Sequence, residues 1–382
     1  MITALLYYPT SPIAASIDGS RYSEMRFGER YLSTPHSIRG ILHGIGEVSM
    51  TVMKTLTNVS FSLMFAGVAL AQDAASKAIN TGGEKGAYHT LFCPPLPVAL
   101  SNAYFQGYKC TPSKGTLENI DRVLKNPTSI GFVQLDVYAN EAIRRAEEFK
   151  KLTVIRGDIA CEGLWMVTKN PDLSNYGHIL GFARRIPFIL PVPASGSAAS
   201  FAFLQANDPE GLGRVPEANK RYVADATAVL NETASSTNGA VGFFVQFADP
   251  ENANIKLILE KELKVIPVAS REIFHIKLND QEIYQLHAFY LKAAGIFVKA
   301  TEAETACTPV AIITGTPGVF GSDRDKVDDQ KDMIQKIREV PAEKLLPQES
   351  RVAAVIKSAK KLTEQAVEEA VAAVEKTRQV FK

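Results

Sequence analysis

Apolar runs of strand length alternate with polar, helix-like stretches along most of this 382-residue chain, the texture of an α/β protein. Residues 129–135 (SIGFVQL) are apolar on both faces, which predicts a strand buried on both sides of a sheet. In 138–149, Tyr138, Ala142, Ala146 and Phe149 fall at helical spacing with charge opposite. Residues 163–168 (GLWMVT) predict another strand and 170–183 a turn and short helix. The strand expected at 186–193 (IPFILPVP) carries prolines that confine it to an edge or to its own ends. A helix opens within 194–207, and strands at 239–249, 263–269 and 308–315 complete the series. Beyond residue 321 the pattern turns helical. There Val352, Ile356, Ala359, Thr363, Ala366, Ala370 and Val374 recur every three or four residues as a narrow, Ala-rich stripe. Such a stripe suits a helix packed on the body of the protein or a partner-binding tail. The turn between these regions (314–321) has glycines at 315, 318 and 321, not the G-x-G-x-x-G of a dinucleotide site, and reads as a strand-to-helix connection.

One apolar stretch stands outside this alternation. Residues 53–76 (MKTLTNVSFSLMFAGVALAQDAAS) place Lys54 after a methionine, then an apolar run from Val59 to Val68, then Ala69-Leu70-Ala71. That order is the tripartite plan of a secretory signal peptide. A spanning helix needs about 20 apolar residues, whereas Val59 to Ala71 is interrupted by Ser60, Ser62 and Gly67. The expectation is a signal peptide at 53–71, a mature chain from near Gln72, periplasmic delivery, and an upstream extension at 1–52 outside the mature protein.

Composition narrows the classes. Removing the first 71 residues leaves 311, with 37 basic and 37 acidic side chains. The balance argues against nucleic acid or anionic lipid as partner, and 311 residues suit two lobes or domains. Cys93, Cys110, Cys161 and Cys307 form no C-x-x-C pair and lie near no His at zinc spacing, so no metal site is expected. In an oxidising compartment they allow three disulfide pairings, and four buried free thiols remain an alternative.

Two places echo each other. TPSKGTLENI (111–120) precedes the strand GFVQLD (131–136), and PASGSAASF (193–201) precedes GFFVQFAD (242–249). Each turn opens a helix whose first N–H groups lack partners and carry the positive end of the dipole. Gly115 and Gly196 admit a ligand to the backbone, while Ser113, Thr116, Ser195 and Ser197 add hydroxyl donors. A carboxylate or oxyanion is the natural guest, with plain N-capping as the alternative. Gln134 and Gln246 each end an apolar run at the carboxyl edge of a strand, where open α/β sheets bind ligands. A structural amide bonded to a loop is the alternative there.

On these residues, together with INTGGEKGAYHT (79–90) and residues 161–200, the segment from about 78 to 315 resembles type II periplasmic solute-binding proteins. Within that class it is most similar to the TAXI family, the receptors of one branch of TRAP transporters. The resemblance implies an α/β, two-lobed fold with hinge-connected lobes, to which this chain adds a C-terminal helical extension beyond the family's usual pattern. Lobe 1 would comprise 76–169 and 268–321, lobe 2 would comprise 170–267, and 322–382 would be the extension, with hinges near Met166–Thr168 and Pro267–Ala269. It further implies ligand contacts at Thr81, Gly82, Gly83, Tyr88, Ser113, Gly115, Thr116, Asn119, Gln134, Asp136, Ser195, Gly196, Ser197 and Gln246. Helix-terminal N–H groups would take a carboxylate, and Asp136 an amino group. The implied partners are a small anionic solute, an amino acid or organic acid, and membrane transporter subunits; no cofactor is implied. An oxyanion receptor of an ABC transporter is the alternative. An α/β enzyme is the third class, but the chain has no G-x-S-x-G elbow and its six histidines are scattered.

Overall fold

The computed structural model describes residues 77–278, 280–292, 300–345, 360–361 and 364–380. The signal-peptide and upstream segments, and the part of the C-terminal stripe at Val352, Ile356, Ala359 and Thr363, lie outside the described residues.

In chain order the strands and longer helices are β1 (Ala78–Asn80), α1 (Pro95–Asn102), β2 (Lys109–Thr111), α2 (Thr116–Lys125), β3 (Ile130–Gln134) and α3 (Leu135–Arg144). Then come β4 (Leu152–Thr168), α4 (Tyr176–Phe182), β5 (Phe188–Pro191), α5 (Gly196–Asn207), β6 (Lys220–Val223), α6 (Ala226–Ser235), β7 (Val241–Phe247), α7 (Ala253–Glu260) and β8 (Lys264–Ile266). The chain closes with a β9–β10 hairpin (Lys277–Leu278 and Gln281–Glu282), β11 (Gln285–Lys292), β12 (Thr301–Gly315), α8 (Arg324–Glu339), β13 (Lys360–Lys361) and α9 (Glu364–Val380). A single π-helical turn at Tyr88–Phe92 precedes α1.

One mixed sheet runs β2-β1-β3-β12-β4-β7-β5-β6, with β8 against β4 and β11 against β12. Its two halves repeat one plan. In each, three parallel strands stand with the earliest in the middle (β2-β1-β3 and β6-β5-β7), beside an antiparallel strand from later or earlier in the chain. The long β4 serves both. Residues 152–163 pair with β12 and residues 162–168 with β7, so the strand changes neighbours at Glu162–Gly163. The mixed α/β class expected from the sequence is the one found. The strand at 163–168 is longer than its apolar run: it starts at Leu152, where Thr153, Arg156 and Asp158 break the hydrophobic pattern and the pairing with β12 shifts register around Ile312. Pro191 ends β5, which sits inside the sheet between β6 and β7, so the prolines mark its end rather than an edge.

Because β1, β3 and the middle of β12 bury both faces, helices must cover each side. Ile79, Ile130, Phe132, Val310 and Ile312 pack under α1 and α8 through Leu96, Leu100, Met333 and Ile337. Trp165, Val167, Ile189 and Phe244 pack under α6 and α7 through Val229, Leu230, Ile255 and Ile258. The remaining core gathers α2, α3, α4 and α5 around Val133, Phe188, Phe201 and Phe243. Two disulfides, Cys93–Cys110 and Cys161–Cys307, settle the pairing the sequence left open; the second staples β4 to β12.

The C-terminal segment grips the body at three places. In α8, Gln330 donates to Gly315 O (2.7 Å), while the Arg156 guanidinium caps the helix end by donating to the carbonyls of Ile337 and Val340. β13 pairs with β11. Finally, α9 buries Val371 and Val374 against α4, where Gly177 is required: a Cβ there would meet Val374 O at 2.8 Å. Arg378 locks this helix by pairing with Glu272 (2.7 Å) and Asp208 (3.6 Å). The described part of the stripe is therefore a packed face.

Candidate functional site

Equivalent strands of the two halves are β1 and β5, β2 and β6, β3 and β7. Gln134 ends β3 and Gln246 stands one residue before the end of β7, as their sequence echo implies. The two echoing turns do not correspond, however. Residues 111–116 follow β2, whereas 193–197 follow β5, so the topological partner of Ser195–Gly196 is the turn after β1. The partner of the 111–116 turn is Asp225–Thr227 before α6. Hydroxyl or glycine residues stand in the turns after β1 (Thr81–Gly83), β2 (Ser113–Thr116) and β5 (Ser195–Ser197) alike, which is why the echo slipped by one unit.

These turns face one another across a cleft of about 700 Å³. From the first half come Gly82 and Gly86–Tyr88, then Gly115–Thr116 at the start of α2, and Gln134. The second half contributes Gly196–Ser197 at the start of α5, Asp225–Thr227 at the start of α6, Gln246, and Asn252 and Asn254 at the start of α7. Glu162 forms the floor where β4 changes neighbours. A second concavity of about 790 Å³ lies between α1 and the end of α8, around Val98, Tyr104 and Lys336; the helix start among its described lining residues is that of α1, which begins with prolines.

The expected contact residues divide into two groups. Gly82, Tyr88, Gly115, Thr116, Gln134, Gly196, Ser197 and Gln246 line the cleft. Thr81, Gly83, Ser113, Asn119, Asp136 and Ser195 do not, and their bonds say what they do instead. Ser113 Oγ donates to Thr81 O (2.9 Å), and Asn119 Nδ2 donates to Thr81 O and to Phe132 O, tying the turn after β1 to the head of α2. Gly83 O accepts from Gly86 N, closing the turn that presents Gly86. Ser195 Oγ accepts from Ala198 N and caps α5. Asp136, wholly buried behind the cleft wall, accepts from the Tyr284 hydroxyl (3.0 Å) and from Val137 N.

No side chain caps α2; Gly115, at φ 117°, adopts a backbone that only glycine takes without strain and leaves the helix head uncovered. Ser197 Oγ accepts from Val245 N (2.9 Å), and Gln246 Oε1 accepts from Asn254 Nδ2 (2.8 Å), which knits the second half of the rim.

Glu162 is the residue the sequence reading missed. It is buried, its Oε2 accepts from the Tyr88 hydroxyl (2.7 Å), and burial pushes its carboxyl up to about 7. Bonds from Tyr88 and the Gln134 amide offset part of that rise, and the nearby Asp136 charge adds to it. Burial also raises Asp136, and drives the Tyr88 hydroxyl well above its usual range. In the sequence Glu162 stands between Cys161 and the apolar run 163–168, a pattern that does not by itself mark it as buried; the pairing of β4 on both sides does. Gln134 Oε1 is buried and has no hydrogen-bond partner, and it points at Gly196, where any Cβ would collide with it. Asp225 and Asp249 also line the cleft, each capping its own turn, and Lys85 is the one basic side chain among the lining residues.

No protein-family model matches the chain, and no curated protein does. Among solved structures it is similar to Rpa4515 of R. palustris with adipate, at 14% identity over 80% of this chain and 96% of that one, with a TM-score of 0.39. The Candida albicans CA3427 gene product, described as exhibiting the generic periplasmic binding protein structural fold, aligns at 12% identity over 80% and 89%, TM-score 0.39. An ABC-type phosphate transport receptor from Vibrio cholerae aligns at 14% identity over 70% and 96%, TM-score 0.37. Likenesses at this level carry no weight for function; the cleft itself has to.

Proposed function

We propose that the chain is an extracytoplasmic receptor that captures a small anionic solute between its two sheet halves and presents it to membrane transporter subunits. One observation carries this reading: helix N-termini from both halves (α2 on one side; α5, α6 and α7 on the other) open onto a single polar cleft. The α2 head has no side-chain cap, whereas Ser195, Asp225 and Asn252 each take one N–H of α5, α6 and α7. The remaining first-turn N–H groups with the helix dipoles favour an anion, least at α6, whose cap is itself a carboxylate. Donors drawn from both halves make the solute the bridge between them, the logic of two lobes that close on a ligand. The lobes would be residues 76–169 with 268–321, and 170–267, and the C-terminal extension would strap them from outside.

An amino acid or organic acid is the first solute class, and inorganic phosphate delivered to an ABC transporter the second. An enzyme is disfavoured by the engagement of Ser197 Oγ with the Val245 backbone, which leaves the cleft serine no base partner. A thermal-shift panel of amino acids, dicarboxylates and phosphate tests the reading. A true ligand at 100 times its Kd adds about 2.7 kcal/mol of stability. No stabilisation by any of them at millimolar concentration would refute receptor function. Export is tested separately, by sequencing the N-terminus of the secreted protein, which should begin near Gln72; Met1 there would refute the signal peptide.

A further inference from the structure

The cleft has two chemically opposite poles. The helix heads offer donors, whereas its floor offers acceptors: the Glu162 carboxyl and the unpartnered Gln134 Oε1. These two side chains are 7% and 5% exposed, and a Tyr88 hydroxyl and the Gln134 amide are the donors bonded to the carboxyl. No Lys, Arg or His among the described residues pairs with Glu162. A buried acceptor left without a donor costs about 1–3 kcal/mol, and a buried carboxylate without a cation costs more. A cleft that keeps both at its floor is incomplete until something donates to them.

We infer that Gln134 and Glu162 are specificity residues that select a zwitterionic solute, one whose protonated amine sits beside its anionic group. The anionic group lies on the heads of α2 and α5, and the ammonium donates to Gln134 Oε1 and the Glu162 carboxylate. A charge-assisted pair of this kind satisfies the orphan acceptor and the buried charge together. An inorganic oxyanion or a plain carboxylic acid offers the floor no cation and brings negative charge toward a carboxylate. Such solutes leave the floor's acceptors unmatched, and sites built for a hydrogen bond reject analogues that lack it. The inference rests on the receptor reading and narrows it to one solute class.

Matched pairs that differ by one amine provide the test: L-alanine and propionate, L-aspartate and succinate, L-glutamate and glutarate, with inorganic phosphate alongside. Titration calorimetry on the wild-type protein should find at least one amino acid bound tenfold or more tightly than its partner and than phosphate. Glu162→Gln, which keeps the volume and an acceptor for Tyr88, should reduce that ratio severalfold, as should Gln134→Met, which removes the orphan oxygen. Circular dichroism on both variants establishes that they are folded. A carboxylic acid or phosphate binding as tightly as the amino acid, or ratios unchanged in both folded variants, overturns the inference while leaving the receptor intact. Binding by none of the seven probes overturns both.

Discussion

Replacing Glu162 by Gln should make the empty protein more stable in alkali while leaving it unchanged in acid. The carboxyl is raised from 4.5 to about 7 in the folded protein. Between those values the folded chain holds a proton that the unfolded chain releases. Stability from this group is therefore full below pH 4.5 and is lost as pH rises toward 7. The span is about 2.5 pH units, and at about 1.4 kcal/mol each the loss comes to roughly 3 kcal/mol above pH 7. The groups facing the carboxyl (Tyr88, Gln134 and Asp136) remain in the variant, so Glu162→Gln removes this loss without opening a cavity. For a chain of 382 residues, about 3 kcal/mol corresponds to about 4 °C in Tm. Calorimetry at pH 5 and pH 8.5 is the assay: the Tm difference, variant minus wild type, should be near zero at the first and several degrees at the second. Parallel curves across that range would refute the reasoning, since they would mean that Glu162 ionises without penalty. The variant that gains stability is also the one expected to lose solute discrimination, the trade found where a site stores unpaired charge.

Gly196→Val should abolish solute binding and leave the fold intact, because its Cβ strikes Gln134 Oε1 at the cleft while the glycine is only half-buried; equilibrium dialysis with any ligand found in the panel measures this. Replacing Arg378 with Met should cost about 2 kcal/mol in urea denaturation by leaving Asp208 buried without a cation. Cys161→Ser/Cys307→Ser should destabilise the protein more than Cys93→Ser/Cys110→Ser, since their loops span 146 and 17 residues. Loop-closure entropy gives about 5 against about 3 kcal/mol, and comparing denaturation midpoints checks the order.

The fold was legible where one physical signal dominated. Apolar runs such as 129–135 became buried strands, because a strand covered on both faces needs apolar side chains on each. The amphipathic spacing of 138–149 became α3 and its short continuation. The region 271–293 was not legible, since its pieces are too short to show a period: a four-residue helix, a two-residue hairpin, then β11 with half-buried alternation. At the site, residues that touch the cleft through backbone or a small side chain were found from turn chemistry alone. Thr81, Ser113 and Asn119 carry the same chemistry, yet spend it holding two turns together.

Glu162 escaped for a different reason, and it sharpens what a buried charge means in a sequence. The apolar run that predicts this strand begins at Gly163, so Glu162 falls just outside it. The ladder in fact continues through it, with Thr308 on one side and Phe247 on the other. A carboxylate inside a paired strand, one step from a disulfide and with no basic partner, cannot be explained by stability, because an apolar residue there would cost less. The same holds for Gln134, whose carbonyl oxygen faces the other half of the sheet with nothing to accept from. Both lie on the cleft floor where the two halves meet, within reach of a solute held between them.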